Sequence, residues 1–313
     1  MMELSRKVLA GDVRSLARLM TLIENGAGEA IQALKDLYPH TGKAHIIGIT
    51  GPPGSGKSTL TDQLTRVYRG RGLTVGIVAV DPTSPFTGGA ILGDRLRMQR
   101  HYLDAGVFIR SMATRGHMGG LARATNDVVD VLDAAGKRVI LIETVGVGQD
   151  EVEVVKAAHT SVVVMVPGMG DSVQTIKAGI MEIGDLFVVN KADREGADRA
   201  VRDIEMALMM NPPGDGWAPR VLRTVATKDE GIADLADAIE AHRRFAEAGD
   251  GRARKARERA EHVFTELLRD RLARRALERA GGNGSLDRLL DQVTRRETDP
   301  YTAVERVLGK LGL

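Results

Sequence analysis

Cysteine is absent from the 313 residues. That excludes disulfide staples and thiolate metal sites and fits a reducing compartment. Aromatic residues make up only 3% of the chain, too few for a nucleic-acid binder that works by stacking bases. Long apolar runs are also missing. A stretch such as Ser161 to Val166 falls far short of the ~20 residues a membrane-spanning helix needs. Glu3 and Asp12 stand among the first basic residues, and no signal-peptide core is visible there. Net charge is +2, so no general attraction to polyanions is implied. A soluble cytoplasmic protein with no membrane and no nucleic-acid partner is expected. Apolar residues at 43% supply a sizeable core. The length suits one large α/β domain with appendages, or two small domains.

The chain is organised around Gly51-Pro52-Pro53-Gly54-Ser55-Gly56-Lys57-Ser58, followed by Thr59. The apolar run His45 to Thr50 before it reads as a buried strand. Leu60, Leu64 and Val67 after it recur at helical spacing. Strand, glycine-rich loop and helix form the context in which the pattern GxxxxGK[ST] means phosphate binding. The glycines let the backbone curve into a nest of inward N–H groups. Those donors and the helix N-terminus hold the α- and β-phosphates. Lys57 reaches the β/γ-phosphates, and Ser58 is a Mg²⁺ ligand.

Seven strands are expected at 45–50, 74–80, 107–110, 138–142, 161–166, 186–190 and 220–226. Most are continuous Val/Ile/Leu runs, as in strands buried on both faces of a parallel sheet. Alternation with helical segments predicts a doubly wound, mostly parallel α/β sheet of the P-loop NTPase class. Residues 1–43 read as an N-terminal helical extension, 44–248 as the P-loop domain and 249–313 as a C-terminal helical extension.

The remaining motifs fall at strand ends. Asp81-Pro82-Thr83-Ser84-Pro85 opens a loop that runs to Asp94. Asp81 is a candidate Mg²⁺ ligand, direct or through water. Asp94 is either a second such ligand or the cap of a helix starting near Arg95. Val139 to Ile142 ends in Glu143, with Gly146 three residues on. A carboxylate there completes the Mg²⁺ shell or orients the attacking water. The Gly146 N–H can meet a γ-phosphate. Most P-loop proteins have Asp at the position of Glu143. Asn190-Lys191-Ala192-Asp193 lies about 130 residues after the phosphate loop. The Asp193 carboxylate can accept both the N1–H and the exocyclic amine of guanine, an edge adenine lacks. The Lys191 stem can cover the base face. Thr224 to Thr227, with Ala226 and Thr227 nearest, offers a backbone N–H for the guanine oxygen. GTP/GDP and Mg²⁺ are the expected cofactors.

Together these segments resemble the MeaB/ArgK-type GTPases. The resemblance rests on GPPGSGKST at 51–59, DPTSPFTGGAILGDRLRM at 81–98, RGHMGGLA at 115–122, ETVGVGQDE at 143–151, PGMGDSVQTIKAGI at 167–180 and NKAD at 190–193. It implies a GTPase chaperone of an adenosylcobalamin-dependent methylmalonyl-CoA mutase or related acyl-CoA mutase. Such a chaperone gates cofactor loading and protects the mutase. The resemblance further implies a homodimer joined through the C-terminal helices and a partner-sensing switch at Gly168 to Lys177. By position, Lys57, Asp94 and Glu143 are the candidate catalytic residues. Ser58, Asp81, Asp94 and Glu143 surround the metal, and Asn190, Lys191 and Asp193 take the base.

In Ras-like GTPases a Gln follows the third-motif glycine and orients water. Here Val147 stands there and Gln149 lies two further on, so slow intrinsic hydrolysis is expected, with Glu143 or Asp94 as water-orienting candidates. Arg95, Arg97 and Arg115 are candidate arginine fingers or simply solvated side chains. The tail carries a basic run from Arg252 to Arg259 and an apolar stripe of Val263, Phe264, Leu267, Leu268 and Leu272. It is either a solvated amphipathic helix or a dimerisation arm. A P-loop kinase or ATPase, after the older description of the group as lysine/arginine/ornithine transport kinases, is the alternative function. A nickel-inserting GTPase ranks last, because the chain has no cysteine and only scattered histidines.

Overall fold

The computed structural model describes residues 2–81, 98–113, 118–144, 158–168, 181, 183–210, 216–249, 251–281 and 285–309. All seven expected strands are present: β1 (His45–Thr50), β2 (Val75–Asp81), β3 (Val107–Ala113), β4 (Val139–Glu143), β5 (Thr160–Met165), β6 (Leu186–Asn190) and β7 (Arg220–Thr224). They form one sheet in the order β3-β2-β4-β1-β5-β6-β7. Every pairing is parallel. The strand after the phosphate loop runs to one side of β1, and β5 to β7 lie on the other. The crevice beyond the carboxyl end of β1 is therefore the switch point at which such sheets bind ligands.

Strands β1, β4, β5 and β6 are buried at every position, the two-sided burial their continuous apolar runs predict. Successive side chains serve opposite faces. Ile46 packs with one cluster and Ile47 with the other. On one face, α1 (Met2–Leu9), α2 (Val13–Glu24), α3 (Gly28–Leu37) and α5 (Met118–Ala134) share a core with Val78, Val80, Ile140 and Ile142. Farther along that face, α6 (Ala197–Met210) covers Val163, Met165, Phe187 and Val189. On the other face, α4 (Lys57–Gly70) and α7 (Ile232–Ala248) cover Ile47, Ile49, Leu141, Val162 and Val164.

β7 stops at Thr224, two residues before its expected end. The cause is local: the Ala226 N–H goes to the Asn190 side chain, Val225 pairs with Glu230, and Ala226–Lys228 turn into a 3-10 helix.

The amino ends of the strands are tied together by a buried polar chain. His45 Nε2 meets Thr160 Oγ1 at 2.9 Å, and the same hydroxyl meets His242 Nδ1 at 2.8 Å. His242 Nε2 lies 3.3 Å from Asp185 Oδ1. Asp185 also accepts from the Ser161 N–H at 2.8 Å and from Lys255 Nζ at 3.0 Å. A hydroxyl that donates to one imidazole and accepts from another satisfies both in the dry interior.

The chain divides into two compact units, 1–255 and 256–313. The second contains most of α8 (Gly251–Gly281), then α9 (Ser285–Thr294) and α10 (Pro300–Gly309). In it Asp299 caps α10, accepting from the Thr302 N–H at 3.0 Å.

Candidate nucleotide site

The phosphate loop joins β1 to α4, and its glycines meet two different demands. Gly51 has φ +140, and a Cβ there would lie 2.1 Å from the Val164 carbonyl oxygen of β5. Gly56 has φ +91, and a Cβ there would lie 2.4 Å from Asn190 Nδ2. The loop therefore threads between β5 and the base-recognition segment with no room for a side chain at 51 or 56. Lys57 is buried, and its ammonium donates to the carbonyls of Gly51 at 2.7 Å and Pro52 at 3.1 Å. Its charge is thus aimed over the nest that the loop encloses.

β4 pairs in register with both β1 and β2, and Glu143 lies opposite Ile49 and Ala79. This puts its carboxylate beside the first turn of α4. Ser58 Oγ donates to Glu143 Oε1 at 2.5 Å, and both residues are buried. Adjacent ligands of an octahedral Mg²⁺ sit roughly 2.9 Å apart. A hydroxyl and a carboxylate oxygen this close, both oxygen donors, therefore fit the Mg²⁺ site that the sequence predicts. The backbone places Asp81 at the carboxyl end of β2, two residues past Ala79. Its side chain lies outside the described residues, as do Asp94, Gly146, Val147, Gln149, Arg95, Arg97, Arg115 and the segment 169–177.

The base-recognition segment follows β6. Asn190 is buried and clamps the loops around it. It donates to the Ser55 carbonyl at 2.8 Å. Its Oδ1 accepts from Thr224 Oγ1 at 3.0 Å and from the Ala226 N–H at 3.2 Å. Three loops are thereby locked to one another. Lys191 takes the left-handed conformation at φ 56, and its ammonium donates to the Gly54 carbonyl at 2.8 Å. That geometry lays the Lys191 stem across the gap between the phosphate loop and the segment bearing Asp193. Asp193 is partly exposed and forms an ion pair with Lys228 at 3.0 Å. The Lys228 hydrogen bond holds the Asp193 carboxyl below the usual carboxylate range. Thr227 is exposed next to Ala226. Lys228 belongs to none of the motifs legible in the sequence. Its only signal there is its place on the turn directly after Ala226-Thr227.

A phosphate nest, a hydroxyl–carboxylate pair suited to Mg²⁺ and a clamped NKxD segment thus converge at the carboxyl end of the sheet. The family profile described as methylmalonyl Co-A mutase-associated GTPase MeaB matches residues 16–280. The chain belongs to the MeaB family of P-loop GTPases. A protein of Pyrococcus abyssi is 51% identical over 312 residues, 99% of this chain and 96% of that protein. The GTPase ArgK of Escherichia coli is 37% identical over 245 residues, 76% of this chain and 74% of that one. The mouse mitochondrial methylmalonic aciduria type A homolog is 37% identical over 197 residues, 62% of this chain and 48% of that one. Among solved structures, a LAO/AO transport system kinase superposes with a TM-score of 0.72 at 27% identity, covering 100% of this chain and 97% of that one. The MeaB-family fold and the P-loop GTPase class expected from the motifs are thus both found.

Proposed function

We propose that this MeaB-family protein is a Mg²⁺-dependent GTP-hydrolysing chaperone of an adenosylcobalamin-dependent methylmalonyl-CoA mutase or a related acyl-CoA mutase. It gates cofactor loading and protects the mutase. The observation that carries the guanine assignment is the clamp. Asn190 and Lys191 bind the phosphate-loop carbonyls of Ser55 and Gly54, so the base and phosphate sites form one rigid unit. The mutase assignment is supported by the description of the family that the chain joins and by the name of its mouse relative.

In this reading the backbone N–H groups of Gly54 to Thr59 cradle the phosphates, Gly51, Pro52 and Pro53 shape the loop around them without an N–H from either proline, and Lys57 offsets the charge that builds between the β- and γ-phosphates. Mg²⁺, when bound, would neutralise further phosphate charge. Ser58 and Glu143 would hold it, with Asp81 and Asp94 completing its surroundings. Glu143 also holds the Ser58 hydroxyl in place. Asp193 accepts the two guanine donors, and Ala226 and Thr227 face the base carbonyl. Gly146 would meet the γ-phosphate. With Val147 in the usual glutamine position, intrinsic hydrolysis is slow and the mutase improves the geometry. The protein acts in the cytoplasm as a homodimer through its C-terminal helices.

The test is GTP turnover of purified protein with and without methylmalonyl-CoA mutase, with ATP as control. Slow GTP turnover that rises severalfold with the mutase supports the reading. GTP turnover indifferent to the mutase removes the partner and leaves the GTPase. Preferential ATP turnover removes the guanine assignment and favours the kinase alternative.

A further inference from the structure

Each polar residue of Asn190–Asp193 is held by side-chain bonds to other parts of the chain. Asn190 is held by Ser55, Thr224 and Ala226, and Lys191 by Gly54. Asp193 is held by Lys228, the last residue of the 3-10 helix Ala226–Lys228. That short helix therefore grips the motif twice, through the N–H of its first residue and the ammonium of its last. The turn is itself anchored. Asp229 sits at φ 64 and pairs with Arg66 of α4, and Val225 bridges Glu230. Lys228 thus projects from a braced position rather than a loose loop.

We propose that Lys228 is a positioning residue for guanine recognition, holding the Asp193 carboxylate in the orientation that meets both donors of the base. The inference rests on the reading of Asp193 as the guanine acceptor. An ionised carboxylate offers about four lone-pair sites. Guanine uses two, one on each oxygen, and Lys228 occupies one on Oδ2. All three donors fit at once, so binding the base does not require Lys228 to leave. Unpinned, a surface carboxylate samples several rotamers and loses conformational freedom when the base arrives. The pairing stands in both partners: the same bond that lowers the Asp193 carboxyl raises the Lys228 ammonium. The two side chains are 40% and 54% exposed, so the effect is a matter of severalfold and is screened by salt.

The test uses the full-length protein and titrations with GDP and ADP. Lys228→Ala should weaken GDP binding about two- to fivefold at low salt, the range expected of an exposed pair. ADP binding and thermal stability should stay unchanged, and the GDP gap should close near about 0.5 M salt. Lys228→Arg should restore wild-type affinity. In an Asp193→Ala background, Lys228→Ala should do nothing further. Unchanged or tighter GDP binding by Lys228→Ala overturns the inference, since a competitor for the carboxylate gives tighter binding and a bystander gives no change. Equal losses for GDP and ADP overturn it too. If Asp193→Ala leaves the preference for GDP over ADP intact, the guanine reading itself falls. If Asp193→Ala abolishes that preference while Lys228→Ala is silent, only the role of Lys228 is lost.

Discussion

Ser58 Oγ donates to Glu143 Oε1 across 2.5 Å, joining the first turn of α4 to the tip of β4. Replacing the carboxylate by its neutral isostere, Glu143→Gln, preserves shape and hydrogen bonding while removing the charge that suits the pair to Mg²⁺. GTP turnover should fall about a hundredfold or more, the scale seen when one transition-state electrostatic contact is lost. Guanine nucleotide affinity should change far less, because Lys57, the loop N–H groups and Asp193 are untouched. Single-turnover assays across a Mg²⁺ series check this. Turnover within twofold of wild type would remove Glu143 from the metal surroundings.

The phosphate-loop glycines should differ in their tolerance of alanine, in an order set by what a Cβ would meet. At Gly51 the neighbour is the backbone carbonyl of Val164 at 2.1 Å, and at Gly56 it is the side chain of Asn190 at 2.4 Å. At Gly54 nothing lies within 4 Å, and only the φ of +76 is unfavourable. Gly54→Ala should cost about 1 kcal/mol of stability. Gly56→Ala should cost more, about 2–3 kcal/mol, and by displacing Asn190 should weaken phosphate and base binding together. Gly51→Ala should be the worst of the three. Thermal melts of the three variants test the order, and a Gly51 variant as stable as the Gly54 variant would contradict it.

The sheet was legible in the sequence because burial on both faces leaves continuous apolar runs, as at Val139–Ile142 and Val162–Met165. The phosphate loop and NKxD were legible because each needs fixed residues at fixed spacing. Contacts between residues far apart in sequence follow no spacing rule. Nothing in the sequence pairs His45 with Thr160 and His242, or Asp193 with Lys228. Nor does the sequence show that the buried Asn190 amide, besides its place in NKxD, binds the surrounding loops to one another.

The C-terminal unit exposes apolar side chains in a row. Phe264, Leu268 and Leu272 follow at intervals of four along α8 and are 67%, 46% and 42% exposed. Such spacing puts them along one side of a helix, and apolar rows of this kind mark interaction surfaces. If they form the dimer contact, the full chain should sediment as a dimer. The double variant Phe264→Glu, Leu268→Glu should then sediment as a monomer while retaining GTP turnover, because both residues belong to the unit 256–313 and the nucleotide site is built from residues of the unit 1–255. A wild-type monomer at micromolar concentration, or a double variant that stays dimeric, would exclude this arm as the dimer contact.

Asp185 gives the fold an acid-sensitive joint. Burial alone would raise its carboxyl, but the hydrogen bond from His242, the Lys255 ammonium and the Ser161 N–H outweigh burial and hold it below its ordinary value. The unfolded chain therefore takes up a proton at this carboxyl at a higher pH than the folded one does. Its contribution to stability is complete above the unfolded carboxylate range, near about pH 4, and is lost as pH falls through the lower folded value. Asp185→Asn would leave the Lys255 ammonium and the Thr160-bonded His242 without their carboxylate. At neutral pH this should cost about 3 kcal/mol. As pH falls through the lowered value of the folded carboxyl, the variant and the wild type should converge, because the wild-type carboxyl is then protonated as well. Denaturant unfolding at pH 7 and at a series of acid values measures the gap directly. A gap that stays constant across the series would mean that Asp185 supports the joint by shape and hydrogen bonding alone, and that its charge contributes nothing.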